Sequence, residues 1–337
     1  MNDGCTFYSE NAGLPSLREA IAEKYVALHQ IDLDPANEIF ITASGVQALN
    51  VSIRCAIDPG DEAIVLTPNW PNGSAMVTLF GGHPKEIPLA WRDGRYEIDM
   101  AALEKALSPR TRLLIYASPS NPLGWIANPA EQQVLLDFCR QNKLCLLADE
   151  VYERIYYDGK VAPSILRLCN REDAVIVVQS LSKTYCMTGW RLGWVVSRRD
   201  LVKKASPLNE FIVSHAASMI QRAGESALKQ GEQDVLAMVK SLKEKVRFCF
   251  EAFQSMNGVS VGKPEGAFYL FPRIDGPEDS FSFALKLLKD TRVAVAPGMA
   301  FGNGGEGAVR ICCAADMDIL EEAMERIDKY ITKMFSI

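Results

Sequence analysis

The 337 residues carry 36 Lys and Arg against 42 Asp and Glu, and a net charge of −6 excludes a general nucleic-acid or anionic-membrane binder. An apolar content of 48% with 23% charged residues excludes a disordered chain and gives length for one large or two medium domains. No apolar run reaches a membrane span and the opening MNDGCTFYSE is not a signal peptide, so a cytoplasmic protein is expected.

The first strand expected is EIFITAS (38–44), followed by helical VQALNVSIRCAI, strand AIVLTP (63–68), helical SAMVTLFGG and strand PKEIPL (84–89). RLLIYAS (112–118) precedes the helix PAEQQVLLDFCRQN, which opens with an Asn128, Pro129, Glu131 signature for N-cap, N1 and N3. LCLLAD (144–149), AVIVVQS (174–180) and LGWVVS (192–197) complete the strands of this half. Such near-continuous apolar runs predict parallel strands covered on both faces, and their alternation with helices predicts a doubly wound, mostly parallel α/β sheet.

After about residue 200 the pattern becomes helical through 256, with EQDVLAMVKSLKEKVRFCFEAFQSM the clearest segment. A smaller α+β region follows: strand GAFYLFP (266–272), helical FSFALKLLKD, strands VAVAP (293–297) and GAVRICCAA (307–315), and a final helix over 316–334. The expected division is a large domain over 1–240 and a small C-terminal domain over 241–337, with the long helices connecting them. The nine scattered cysteines include no CxxC pair and read as reduced thiols. His29, His83 and His215 are isolated, so no metal site is expected.

Ligands of such sheets bind at the carboxyl ends of the parallel strands. Four of those ends carry polar groups: Ser44-Gly45 where a helix begins, Asn121 in SPSNPLG, Asp149 with Tyr152 three residues on, and Ser180 with Lys183. Each taken singly is an ordinary cap, turn or strand end. Together they supply an amine, a buried carboxylate, hydrogen-bond donors and a phosphate cradle on one edge, which is what pyridoxal phosphate requires. Apolar surroundings would lower the pKa of Lys183 and leave an amine able to form a Schiff base with an aldehyde. Ser180, Arg191 and the first N–H groups of the helix at Gly45 and Val46 would hold an anion. Arg310 lies inside an apolar strand, a costly place unless it meets an anion.

The chain resembles the class I/II aminotransferases, the aspartate-aminotransferase-like enzymes of pyridoxal-phosphate fold type I. The matching segments run in family order from about residue 8 to 311: YSENAGLPSLREAIA, SGVQAL, DPGDE, SPSNPLG, DEVYE, SLSKTYCMTGWRLG, PEGAFYLFP and APGMAFGNGGEGAVRI. The resemblance implies that Lys183 binds the cofactor covalently and that Asp149 holds its pyridinium N–H. Tyr152 and Asn121 would then contact its phenolic oxygen, Trp70 would stack on its ring, and Ser180, Arg191, Gly45 and Val46 would hold its phosphate. Arg310 would grip the substrate α-carboxylate. Tyr8 would reach the phosphate of a neighbouring subunit, so a homodimer with shared sites is implied.

The implied reaction is ping-pong transfer of an amino group from an amino acid to a 2-keto acid. Val46 occupies the place where part of the family uses a lysine to read acidic side chains. With Trp70, Tyr8 and Phe268 as apolar walls, this favours neutral or aromatic donors and pyruvate or 2-oxoglutarate as acceptor, with glutamate still open. The family usually has several tens of residues before the segment matching Tyr8, where this sequence has seven. Those residues supply a dimer arm, part of the small domain and an apolar lip over the substrate. Two alternatives stay open: a lyase or another enzyme of the same fold, such as a carbon–sulfur lyase, and a non-catalytic ligand sensor. The acidic charge, the retained Lys183, Asp149 and Arg310, and the lack of room for a helix-turn-helix before Tyr8 all oppose the sensor.

Overall fold

A computed structural model describes residues 5–335. The chain opens with α1 (Pro15–His29), β1 (Ile39–Thr42), α2 (Gly45–Ala56), β2 (Glu62–Thr67), α3 (Asn72–Leu79) and β3 (His83–Pro88). A hairpin, β4 (Ala90–Arg92) and β5 (Arg95–Glu97), leads to α4 (Met100–Ala106), β6 (Thr111–Ala117), α5 (Pro129–Asn142) and β7 (Cys145–Asp149). Next come β8 (Val175–Ser180), the single turn α6 (Leu181–Thr184) and β9 (Gly193–Ser197).

Seven of these strands form one sheet in the order β1-β9-β8-β7-β6-β2-β3. Side chains along each strand alternate between two apolar layers. Ile41, Leu114, Tyr116, Leu146, Val177 and Trp194 face one, while Phe40, Leu113, Ile115, Leu147, Ile176 and Val195 face the other. Both faces are covered, which is why the sequence shows unbroken apolar runs here.

One expectation is corrected. LGWVVS was read with the parallel strands, but β9 runs antiparallel to both β8 and β1. Residues 181–192 between β8 and β9 hold only the single turn α6 and a short turn at Thr188–Trp190, with no crossover helix, and the chain turns back. Gly193 permits the close approach this needs: a Cβ there would lie 2.6 Å from the Gln179 carbonyl and 2.6 Å from the Gly45 nitrogen.

The N-terminal signature of α5 forms as expected. Asn128 Oδ1 accepts the Glu131 N–H at 3.0 Å, and Glu131 Oε2 accepts the Asn128 N–H at 2.8 Å. Among the elements with no counterpart in the reading of the sequence are α1, the β4–β5 hairpin and α4. Helix α1 buries Leu17, Ile21 and Tyr25 but also Arg18 and His29, which blurs its apolar stripe.

The helical stretch resolves into α7 (Arg199–Glu210), α8 (Ser218–Gln230) and α9 (Glu232–Ser255). The rest comprises β10 (Val259–Ser260), β11 (Tyr269–Leu270), β12 (Arg273–Ile274), α10 (Ser280–Thr291), β13 (Ala296–Pro297), β14 (Val309–Cys312) and α11 (Met317–Phe335). GAFYLFP and VAVAP therefore contribute only two paired residues each, in the antiparallel order β11-β14-β13. Val246, Phe253, Leu270, Ile311, Leu320 and Ile327 share a separate core beneath them. Among the described residues no helix is long and apolar enough to cross a membrane.

Candidate active site

A cavity of about 300 Å³ opens at the carboxyl edge of the large sheet. Its walls include Gly45, Val46, Trp70, Asn121, Asp149, Tyr152, Ser180, Lys183, Arg191 and Arg310, all singled out from the sequence. Strands β1, β6, β7 and β8 end here, and β9, running backwards, begins here. That reversal returns Arg191 to the edge where Ser180 and Lys183 leave β8.

The segment after β7 is two-sided. Asp149 and Tyr152 line the cavity. Glu150 and Glu153 are buried elsewhere: Glu150 Oε1 accepts the Ile165 N–H at 3.0 Å, and Glu153 pairs with Lys24 and with His29 at 3.0 Å, both from α1. Asp149 accepts the Val151 N–H at 3.2 Å. Burial pushes its carboxyl up to about 6, against the pull of that N–H and of Lys183. A carboxylate held this way gains most from a cationic or N–H partner in the cavity.

Lys183 lies on α6, its Nζ 5.6 Å from the centre of the Tyr152 ring and 5.9 Å from that of Phe268. Burial lowers its pKa, the nearby Arg310 and Arg191 add to the fall, and Cys312 and Asp149 oppose it. Ser180 caps α6 by accepting the Ser182 N–H at 3.1 Å. Arg191 adopts a left-handed backbone, φ 55°, and its Nη1 donates to the Thr188 carbonyl at 2.6 Å. Ser44 caps α2 by accepting the Gln47 N–H at 3.2 Å, and the first two residues of the helix, Gly45 and Val46, line the cavity.

Arg310 reaches in from β14. Its Nη1 donates to Asn121 Oδ1 at 3.0 Å, and its guanidinium lies 4.6 Å from the Tyr269 ring centre, 5.0 Å from Phe301 and 5.7 Å from Trp70. Its Nε is buried without a hydrogen-bond partner. A half-buried cation left incomplete in this way is set to receive an anion.

The sequence reading did not single out Asn69, Asn72, Ser182, Thr188 or Tyr269, which also line the cavity. Ser182 and Thr188 could have been found within the SLSKTYCMTGWRLG segment, and Tyr269 from its place in GAFYLFP. Tyr8 is not among the lining residues. It is 92% exposed, with its ring 5.6 Å from that of His215.

The residues present fit pyridoxal phosphate on chemical grounds: an amine of lowered pKa, a carboxylate raised by burial, a half-buried guanidinium with an unpartnered Nε, and a helix start beside an arginine. Comparison with known proteins points the same way. The family model for aminotransferase class I and II matches residues 1–327. The aromatic-amino-acid aminotransferase 2 of Thermococcus litoralis is 34% identical, over 98% of this chain and 85% of its own length. An aspartate aminotransferase of Pyrococcus abyssi is 36% identical, over 97% of this chain and 85% of its own. The crystal structure of an aromatic aminotransferase from Pyrococcus horikoshii superposes with a TM-score of 0.95 at 35% identity, covering all of this chain and 90% of that one.

Proposed function

The chain belongs to the class I and II aminotransferases and is a pyridoxal-phosphate-dependent transaminase of fold type I, acting on an amino acid and a 2-keto acid; from that premise we propose how its residues divide the work. When bound, the cofactor supplies an aldehyde for the amines to join and a ring that accepts electrons from the substrate Cα. Lys183 would hold it, and its free Nζ would be the base that takes the proton from the substrate Cα. Its lowered pKa favours the neutral amine this step needs. Asp149 accepts the ring N–H and keeps that nitrogen protonated.

Asn121 has its Oδ1 occupied by Arg310, so its Nδ2 is the group left to donate to the phenolic oxygen, beside the Tyr152 hydroxyl. Ser180, Arg191 and the amides of Gly45 and Val46 hold the phosphate. Trp70 would cover the ring, and the Arg310 guanidinium would bind the substrate carboxylate. The observation that carries the proposal is the convergence of Lys183, Asp149 and Arg310 on one cavity.

We read the preferred donor as a neutral or aromatic amino acid. Among the described residues lining the cavity the cations are Lys183, Arg191 and Arg310, and each already has a role. None is left to meet a side-chain carboxylate, and Val46, Trp70 and Tyr269 offer apolar surface. A panel of amino donors with 2-oxoglutarate or pyruvate as acceptor tests this on the purified holoprotein. Aromatic or neutral donors should give a kcat/KM at least about tenfold above aspartate, the worth of one unmatched contact. A preference for aspartate would overturn the donor assignment, and release of ammonia without an acceptor would overturn transamination.

A homodimer is part of the same reading. Phe7 (79% exposed), Tyr8, Phe211 (88% exposed), Ile212, Val213 and Met219 are exposed apolar side chains, and Ser218 Oγ donates to the Phe7 carbonyl at 2.8 Å, while Tyr8 packs against His215. A partner covering this face would bring Tyr8 towards its own cavity. Sedimentation of the holoprotein should show twice the 37.2 kDa chain mass, and a monomer at micromolar concentration would refute it. The division into domains 1–240 and 241–337 is supported by the separate core beneath β11 and β14. A cytoplasmic location is supported by nine free thiols.

A further inference from the structure

Tyr269 stands between two parts of the site, and the apolar surface assigned to it above leaves its hydroxyl without a role. It is 6% exposed and lies on β11, opposite Cys312 of β14, two residues from Arg310. Its hydroxyl is 3.1 Å from that of Tyr152, and its ring faces the Arg310 guanidinium at 4.6 Å. Arg310 in turn donates to Asn121. The four side chains make a continuous chain along the cavity wall, from one partner of the phenolic oxygen to the other by way of the carboxylate-binding arginine.

We infer that Tyr269 is a positioning residue: its hydroxyl aims the Tyr152 O–H at the cofactor's phenolic oxygen, and its ring face holds Arg310 within reach of the substrate carboxylate. The inference rests on the transaminase reading and deepens it. A phenol has one proton to donate. If Tyr152 gives its own to the phenolic oxygen, the 3.1 Å contact requires Tyr269 to be the donor to Tyr152. Burial raises both phenol pKa values, so both protons are kept. Donation into the Tyr152 oxygen polarises its O–H and strengthens the next bond along the chain. The ring acts separately. A guanidinium with an unpartnered Nε is held by the aromatic faces of Tyr269 and Phe301 as well as by Asn121.

Two variants of the holoprotein separate these contributions. Tyr269→Phe keeps the ring and loses the hydroxyl. The pH midpoint of the bound cofactor's visible absorbance should rise by about half a unit, because the ionised phenolic oxygen loses support. Its kcat should fall about fivefold, the worth of one hydrogen bond, with KM for the amino donor within about twofold of the parent. Tyr269→Leu loses the ring as well, and its KM should rise about tenfold.

Lys183 is faced by Asp149, Arg191, Arg310 and Cys312, and both variants keep all four. An unmoved midpoint in the Phe variant, at full cofactor occupancy, overturns the hydroxyl role. Equal KM values in the Phe and Leu variants overturn the ring role. If the Leu variant does not fold, the midpoint in the Phe variant decides the inference. A parent protein that takes up no cofactor would instead overturn the transaminase reading beneath it.

Discussion

Lys183→Ala is expected to lower turnover by about 10,000-fold or more, the largest effect of any single substitution in the chain. In the proposed mechanism the side chain has two tasks, holding the cofactor and carrying the Cα proton, and alanine would perform neither. Loss of a positioned general base alone costs up to about 10⁴-fold, or roughly 5.5 kcal/mol of barrier. The phosphate contacts proposed for Ser180, Arg191, Gly45 and Val46 would be kept, so the variant should still bind cofactor, more weakly. Borohydride reduction of the parent should fix the cofactor onto the peptide containing Lys183, and no peptide of the variant should carry it. Label on another lysine of the parent, or an active variant, would be incompatible with the proposed chemistry.

Asp149→Asn should cost about 1,000-fold in kcat, in the range of losing one buried electrostatic partner of the reacting system. The amide matches the carboxyl in size but carries no charge to keep the ring nitrogen protonated. Stability should move the other way. Burial raises the Asp149 carboxyl to about 6, so its folded pKa lies above the unfolded one. A raised carboxyl binds its proton more tightly in the folded state. The folded protein therefore loses stability as pH climbs from the ordinary carboxyl range through about 6, and the penalty is complete above it. The cofactor-free Asn variant should melt above the parent at pH 8, and the difference should disappear at pH 4. A variant that kept its activity would remove Asp149 from the mechanism, and one less stable at pH 8 would show the carboxylate to be satisfied by groups of the chain itself.

The central strands were legible because a strand covered on both faces has no polar register to hide, and 174–180 and 144–149 read as apolar runs for that reason. Their direction was not. A period of two is the same forwards and backwards, so nothing in LGWVVS distinguished an antiparallel strand. The small sheet was overestimated because two-residue pairings sit inside longer apolar stretches such as VAVAP. In the site, the ionisable residues were conspicuous. Lys183 and Arg310 are charges among apolar neighbours, and Asp149 ends a buried strand. Tyr269 was passed over because an aromatic residue in a short apolar strand reads as core, and only its hydroxyl contact reveals the difference.

With the roles proposed for Asp149 and Tyr152, the two-sided turn after β7 would make the first helix answerable for the electronics of the cofactor. Lys24 and His29 clasp Glu153 from behind, one residue beyond Tyr152 and four beyond Asp149. Damage to that clasp would tilt the acid and the phenol together. A lesion on the far side of the sheet would then present itself in the test tube as a change of colour and a slower enzyme, with every reacting group still in the chain.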